Sequence, residues 1–208
     1  MFLKFLSSFC FIAPTLIGVS LYKRLPFELK IFLSVNAING ILDGFTFWQY
    51  IAGYNSSELL NLYIVPYLLL YTFPVLKVIN SRLIRFGVIF PTVLAVAWIS
   101  LQIFQIDISS TFYSNGISII GVNLIVSYLI YLFYVALISK KLTLRGHPLF
   151  FIASTFIIYQ AFNTSIFVFM NILDGDALSF LWKFRYISNI VLNAVISAAF
   201  IFYGRTWK

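Results

Sequence analysis

Seven runs of mainly apolar residues follow one another along the chain, each close to the about 20 residues that a bilayer's hydrocarbon core demands of a helix. They cover 2–22, 29–52, 59–77, 86–105, 116–138, 149–171 and 182–204. The connections between them are short, with no Gly/Ser linker, low-complexity tract or soluble domain. Composition removes the alternatives. Hydrophobic residues make up 62% and charged residues 10% of 208, where soluble domains run near 45–50% and 25%. A soluble globule of this size could not cover so much apolar surface, and disordered chains are polar and charge-rich. The expected fold is all-α: a polytopic membrane protein forming a single seven-helix transmembrane domain over residues 1–208. The first run carries Lys4 ahead of its apolar residues, as a signal peptide does. It lacks an A-x-A-like site and is long enough to span, so it is read as the first helix.

The formal charge of +8 would suggest nucleic acid in a soluble protein. Here it sorts by side instead. Lys23, Arg24 and Lys30 follow the first run; Lys77, Arg82 and Arg85 the third; Lys140, Lys141 and Arg145 the fifth; Arg205 and Lys208 the last. That places 11 of 14 basic residues on one side. The other side holds Lys4, Lys183 and Arg185 beside Glu58, Asp107, Asp174 and Asp176. Lys/Arg excess marks the cytoplasmic face, which predicts an N-outside, C-inside topology. Trp48, Tyr50, Tyr54 and Trp182 fall at the outer boundary and Tyr22, Tyr203 and Trp207 at the inner one, where amphipathic rings favour the headgroups. No basic stripe interleaved with stacking aromatics occurs on a loop, so no nucleic-acid partner is expected.

Polar residues inside the runs carry the functional information. An ionisable group near the bilayer centre costs about 2.5–3.5 kcal/mol on insertion scales and usually faces a protein interior. Asp43 is the one carboxylate well inside a run, and Asn36, Asn39 and Asp43 share a helix face. Gln160 and Asn163 are paired on the sixth run, Asn189, Asn193 and Ser197 aligned on the seventh, and Asn123 and Ser127 on the fifth. At 1.5 Å per residue, Asp43 lies about 13 Å from the outer end of its run, Asn163 about 12 Å, and Asn189 and Asn123 about 10 Å. A polar layer in the outer half of the membrane is therefore expected from Asn36, Asn39, Asp43, Asn123, Gln160, Asn163, Asn189 and Asn193. Two readings stand: interhelical amide bonds that join helices, or the lining of an outward-facing pocket or ion path. Arg185 either pairs with Asp43 or anchors at the headgroups by snorkelling, with Lys183 interfacial.

No H-E-x-x-H, Cys/His cluster, P-loop, G-x-S-x-G or pair of intramembrane aspartates is present. One intramembrane Asp does not supply the convergent ionisable groups that acid–base or metal catalysis needs. The expectation is that the chain is not an enzyme, with no catalytic residues, metal or cofactor. The seventh run has no mid-helix lysine for a retinal Schiff base. His147 lies in the Arg145–Pro148 turn, and Cys10 reads as a small apolar helix residue. Asn55-Ser56-Ser57 is a glycosylation sequon on an outer loop. Pro14, Pro66, Pro74 and Pro91 fall within runs and are expected to kink them; Pro66 and Pro74 could make the third run a bending element.

Asp43 and Asn163 share an offset in the second and sixth runs, and Tyr63-Ile64 and Tyr186-Ile187 open the third and seventh. The size, N-outside topology and late Asn resemble the small sugar transporters with two triple-helix repeats, as an analogy of architecture. The prolines of that family's first two helices in each half are lacking from the second, fifth and sixth runs here. Leu62-Tyr63-Ile64-Val65-Pro66-Tyr67-Leu68-Leu69-Leu70, the mid-helix Asp43 and the final Leu181-Trp182 resemble a group of short seven-helix bacterial membrane proteins often encoded beside sensor histidine kinases. That group tends to carry an acid early in the third helix, where this chain has Pro66-Tyr67. The resemblance implies sensing. The Phe-, Ile-, Tyr- and Asn-rich composition reads as bacterial, hence a multi-pass protein of the inner membrane.

The function expected first is a sensor or receptor-type module that binds a small polar ligand in the outer pocket. It would signal through a cytoplasmic partner met by the basic loops, or through a homo-oligomer, the lipid bilayer being its other partner. The alternatives are a small solute transporter or proton-coupled carrier using the same layer, and an assembly subunit in which the layer is only glue. A receptor needs a cavity closed at its inner end; an assembly subunit needs none.

Overall fold

A computed structural model describes residues 2–53, 57–105, 110–138, 147, 149–169 and 172–206, without the side chains of 50, 57–62, 102–105, 110–115 and 206. Tyr54, Asn55, Ser56, Asp107, Lys140, Lys141, Arg145, Pro148, Trp207 and Lys208 lie outside the described residues, as do the side chains of Tyr50 and Glu58. The elements are α1 (Phe2–Phe9), α2 (Ile12–Leu21), a 3-10 turn (Tyr22–Arg24), α3 (Phe27–Ile51), α4 (Ser57–Val78), α5 (Arg82–Gln105), α6 (Ser110–Ile138), α7 (Phe150–Phe169) and α8 (Gly175–Thr206). The protein is all-α. Among the described residues six helical segments are long and apolar enough to cross a membrane: Phe2–Arg24, Phe27–Gln49, Arg82–Leu101, Gly116–Ile138, Phe150–Phe169 and Gly175–Arg205. The expected third span gives α4, 22 residues long, with described side chains from Tyr63 to Val78.

The first run is broken rather than continuous, at Cys10–Phe11 between α1 and α2. Pro14 explains the position. A proline ring has no N–H to donate and collides with the carbonyl four residues back, which is that of Cys10. The helix resumes with the Thr15 amide donating to the Phe11 carbonyl at 3.1 Å. The break sets Phe11 against α3, where only glycine leaves room: a Cβ at Gly40 would fall on the Phe11 ring. Similar close approaches join Gly18 to Leu33 and Phe200, Gly204 to Leu21, and Gly121 to Thr164. Small residues at helix contacts are what packing in lipid requires, because no hydrophobic force drives apolar helices together there.

The last helix is longer than the 182–204 run. It begins at Gly175, after Asp174, whose Oδ1 accepts the Ala177 amide at 2.9 Å. That is an N-cap bond, satisfying one of the helix's orphan donors. Asp174, read from sequence as a loop acid, thus starts α8. The fifth run is likewise exceeded at its start, α6 beginning at Ser110.

Successive helices run back and forth, so the described basic residues of alternate loops gather at one end. Lys77 lies over the Phe27 ring at 5.8 Å and Lys30 over Tyr22 at 5.3 Å. The Asn80 amide donates to the Tyr134 hydroxyl at 3.2 Å. Arg85 donates from Nε and Nη2 to the Ile79 carbonyl at 3.0 and 2.6 Å. A cation there meets the carbonyl-rich end of α4 and stays half-buried. Arg85→Ala is expected to lower stability in detergent by about 1–2 kcal/mol, the worth of hydrogen bonds from a charged donor. Arg82→Ala at the exposed neighbouring position should change it by less than about 0.5 kcal/mol. Equal losses would mean that the Arg85 bonds contribute nothing.

Candidate functional site

The helix faces that carry amides converge with those that carry tyrosine. Tyr63, Tyr67 and Tyr71 recur every fourth residue on α4 and so form one column. Their rings touch in series, Tyr63 to Tyr67 at 5.8 Å and Tyr67 to Tyr71 at 4.6 Å between centroids. At its foot Tyr71 stacks on Phe156 at 4.8 Å, and Phe32 and Tyr128 close around Phe156 at 6.5 and 4.7 Å. These floor side chains are buried. The Tyr128 hydroxyl also donates to the Tyr71 carbonyl at 3.0 Å. That carbonyl is the neighbour of Leu70's, the one that Pro74 leaves without its helical donor.

Above this floor is a cavity of about 70 Å³ between α3, α4, α6, α7 and α8. It is lined by Asn39, Leu42, Asp43, Tyr63, Ile64, Tyr67, Ile117, Ile120, Tyr159, Gln160, Asn163 and Arg185. A water needs about 10–15 Å³ on this measure, so the space fits about five to seven. Gln160 is fully buried; its Nε2 donates to the Tyr67 hydroxyl at 2.7 Å, while its Oε1 has no partner among the described residues. The buried Tyr63 hydroxyl is likewise unpartnered among them. Arg185 Nε donates to Asn163 Oδ1 at 2.7 Å, and the guanidinium lies 5.1 Å from the Trp182 ring centre. An acid, Asp43, and a base, Arg185, thus line one cavity.

Five residues expected from sequence meet here: Asn39, Asp43, Gln160, Asn163 and Arg185. Arg185, read from sequence either as a partner of Asp43 or as a headgroup anchor, lines the cavity with Asp43 and bonds Asn163. The physical reason is the longer α8. Arg185 stands ten residues after Gly175, about 15 Å into the helix, while Asp43 is eight residues, about 12 Å, from the end of α3. The two occupy one level.

Asn36, Asn189 and Asn193 form a separate network with α1. Asn36 Nδ2 donates to Asn193 Oδ1 at 3.5 Å, and Asn193 Nδ2 to Asn189 Oδ1 at 3.2 Å. Asn189 Nδ2 in turn donates to Ser7 Oγ at 3.0 Å and the Ser7 carbonyl at 3.1 Å. This chain ties α3, α8 and α1 together beside a gap of about 10 Å³, room for about one water. Asn39 and Asp43 line that gap too, which makes the network the neighbouring wall of the cavity. The Cys10 thiol points the same way, 2.9 Å from the Ser7 carbonyl.

Asn123 does not join either group. Its Oδ1 accepts the Thr92 hydroxyl at 3.2 Å, pinning α6 to α5, and it borders an open apolar groove on the outer surface of those helices. Depth had placed it in the layer; the rotation of α6 turns it away. Sequence reasoning missed Tyr63, Tyr67 and Tyr159. The fourfold spacing on α4 was a readable signal, hidden among 13 tyrosines and 24 phenylalanines. Among the described residues no three His, Cys, Asp or Glu side chains come together as a metal site. The chain matches no protein-family model, no curated protein and no solved structure.

Proposed function

We propose that the chain is an integral membrane receptor-type module of seven spans, N-terminus outside and C-terminus inside, in a bacterial inner membrane. It takes a small polar ligand into the cavity around Asp43 from the outer side and signals through a separate partner at the basic, cytoplasmic end. The observation that carries this reading is the cavity itself, with Asp43 and Arg185 in its wall and a buried aromatic floor beneath. Charges held at that depth are costly unless they face something polar. The buried cluster of Phe32, Tyr71, Tyr128 and Phe156 beside the cavity supports a closed inner end, which favours a receptor over a carrier. Polar glue requires packed partners, and the buried Gln160 Oε1 has none among the described residues.

The test is thermal unfolding of the full chain in detergent against a library of small polar solutes. At least one class should raise the midpoint, and Asp43→Ala should abolish the rise. The same solute should not accumulate in proteoliposomes. Uptake would replace the receptor reading with a carrier; a silent library together with an inert Asp43→Ala would leave an assembly subunit. Sidedness is checked separately, in a Cys10→Ala background. Lys183→Cys should react with a membrane-impermeant maleimide on intact cells and Arg82→Cys only after lysis. The reverse pattern would overturn the topology.

A further inference from the structure

The cavity's recognition groups divide by sign. The acceptors are the Asp43 carboxyl group and Gln160 Oε1. Gln160 lines the space, its Nε2 is used on Tyr67 and its buried oxygen has no partner among the described residues. The rings of Tyr63, Tyr67 and Tyr159 stand around the same space. Carboxylate, amide oxygen and aromatic faces together suit an ammonium group, which needs acceptors and is drawn to π-faces. The donor is Arg185, whose planar, permanently charged fork suits a carboxylate. Its direction is set by the Asn163 and Trp182 contacts.

A lone cation would satisfy Asp43 and meet repulsion from Arg185; a lone anion would do the reverse. A neutral solute would neutralise neither charge. One ligand class offers a partner to each of them and adds no net charge to a low-dielectric surrounding, where added charge is costly. We propose that the cavity binds a small zwitterion, its ammonium between Asp43, Gln160 and the tyrosines and its carboxylate on Arg185. This rests on the pocket reading above and narrows it. A space for about five to seven water-sized groups limits the molecule to the range from glycine through β-alanine to γ-aminobutyrate.

The experiment uses the full chain in detergent and reads the thermal midpoint with glycine, β-alanine and γ-aminobutyrate. N-acetylglycine, which lacks the ammonium, glycinamide, which lacks the carboxylate, and glycerol are run beside them. A zwitterion present at about 100 times its dissociation constant should raise the midpoint by about 5 °C or more. The two end-blocked compounds and glycerol should leave it unchanged, so the result does not depend on any variant folding. Asp43→Asn and Arg185→Gln should each remove the zwitterion's shift, while Asn123→Leu, at the α5–α6 contact, should retain it. If N-acetylglycine, glycinamide or glycerol shifts the midpoint as much as the zwitterions, the zwitterion assignment falls and the pocket stands. If no zwitterion acts, the assignment falls also; the pocket falls with it only when the wider solute library is silent too.

Discussion

Gly121→Ala is expected to destabilise the α6–α7 seam by about 1–3 kcal/mol, the usual cost of forcing a methyl group into a packed site. In an exposed helix the same change would add about 0.8–1.0 kcal/mol of helix propensity. Here the sign reverses, because the new Cβ would collide with the Thr164 hydroxyl and stand 3.1 Å from Thr164 Cβ. Rotating the hydroxyl away does not help enough. Threonine has two χ1 rotamers open to it in a helix, but its Cβ cannot move without its backbone. Thr164 is buried and its hydroxyl has no partner among the described residues, so Thr164→Ala alone should cost less than about 1 kcal/mol. The double variant should recover most of the Gly121→Ala loss, a coupling readable by a double-mutant cycle of unfolding in mixed micelles. Strict additivity of the two changes would mean that the helices separate to admit the methyl group and that the seam is not close-packed.

That contact illustrates what was legible from sequence. Every expected run is helical where it is described, the first as two helices, since about 20 apolar residues between short polar breaks leave the backbone no other way to satisfy its hydrogen bonds in lipid. Helix ends were less legible. Residues 175–181 are helical but mixed in polarity, so the apolar pattern starts late; the N-cap at Asp174 was the signal that could have placed the true start. The break at Cys10–Phe11 was implicit in Pro14, four residues on, but a proline pattern alone does not distinguish a bend from a break.

The site divides the same way. Asp43, Asn39, Gln160, Asn163 and Arg185 were visible because polarity within an apolar run is conspicuous. Depth along a helix follows from counting, and it grouped Asn123 with them. Rotation about the helix axis does not follow from counting; neighbours set it, and Asn123 points to Thr92 on α5 instead. The tyrosines carried no polarity contrast and came forward only once α4 and α7 faced each other across the space. Asn36, Asn189 and Asn193 satisfied both earlier readings at once: they bond helix to helix, and they do so against the cavity wall.

Removing one charge from that cavity should have the largest effect at the site. Arg185→Leu withdraws the cation facing Asp43 and leaves Asn163 Oδ1 without its 2.7 Å donor. Breaking a fully buried ion pair costs about 3–5 kcal/mol, because the remaining charge is stranded. Asp43 and Arg185 are half-buried beside space for several waters, so about 2–3 kcal/mol is expected here, read as loss of stability in mixed-micelle unfolding. Asp43→Asn should cost less, about 1 kcal/mol, since Arg185 keeps its Asn163 and Trp182 contacts. The double variant Asp43→Asn/Arg185→Leu separates glue from site. Replacing both members of a buried pair by uncharged groups is often neutral or stabilising, so the double variant should be more stable than Arg185→Leu alone and lose all response to solutes. A double variant as unstable as the sum of the singles would show the two charges to be independent, and the cavity would then not act as one recognition site. Recovered stability with lost response would mean that the charges are held for a ligand, since the fold does better without them.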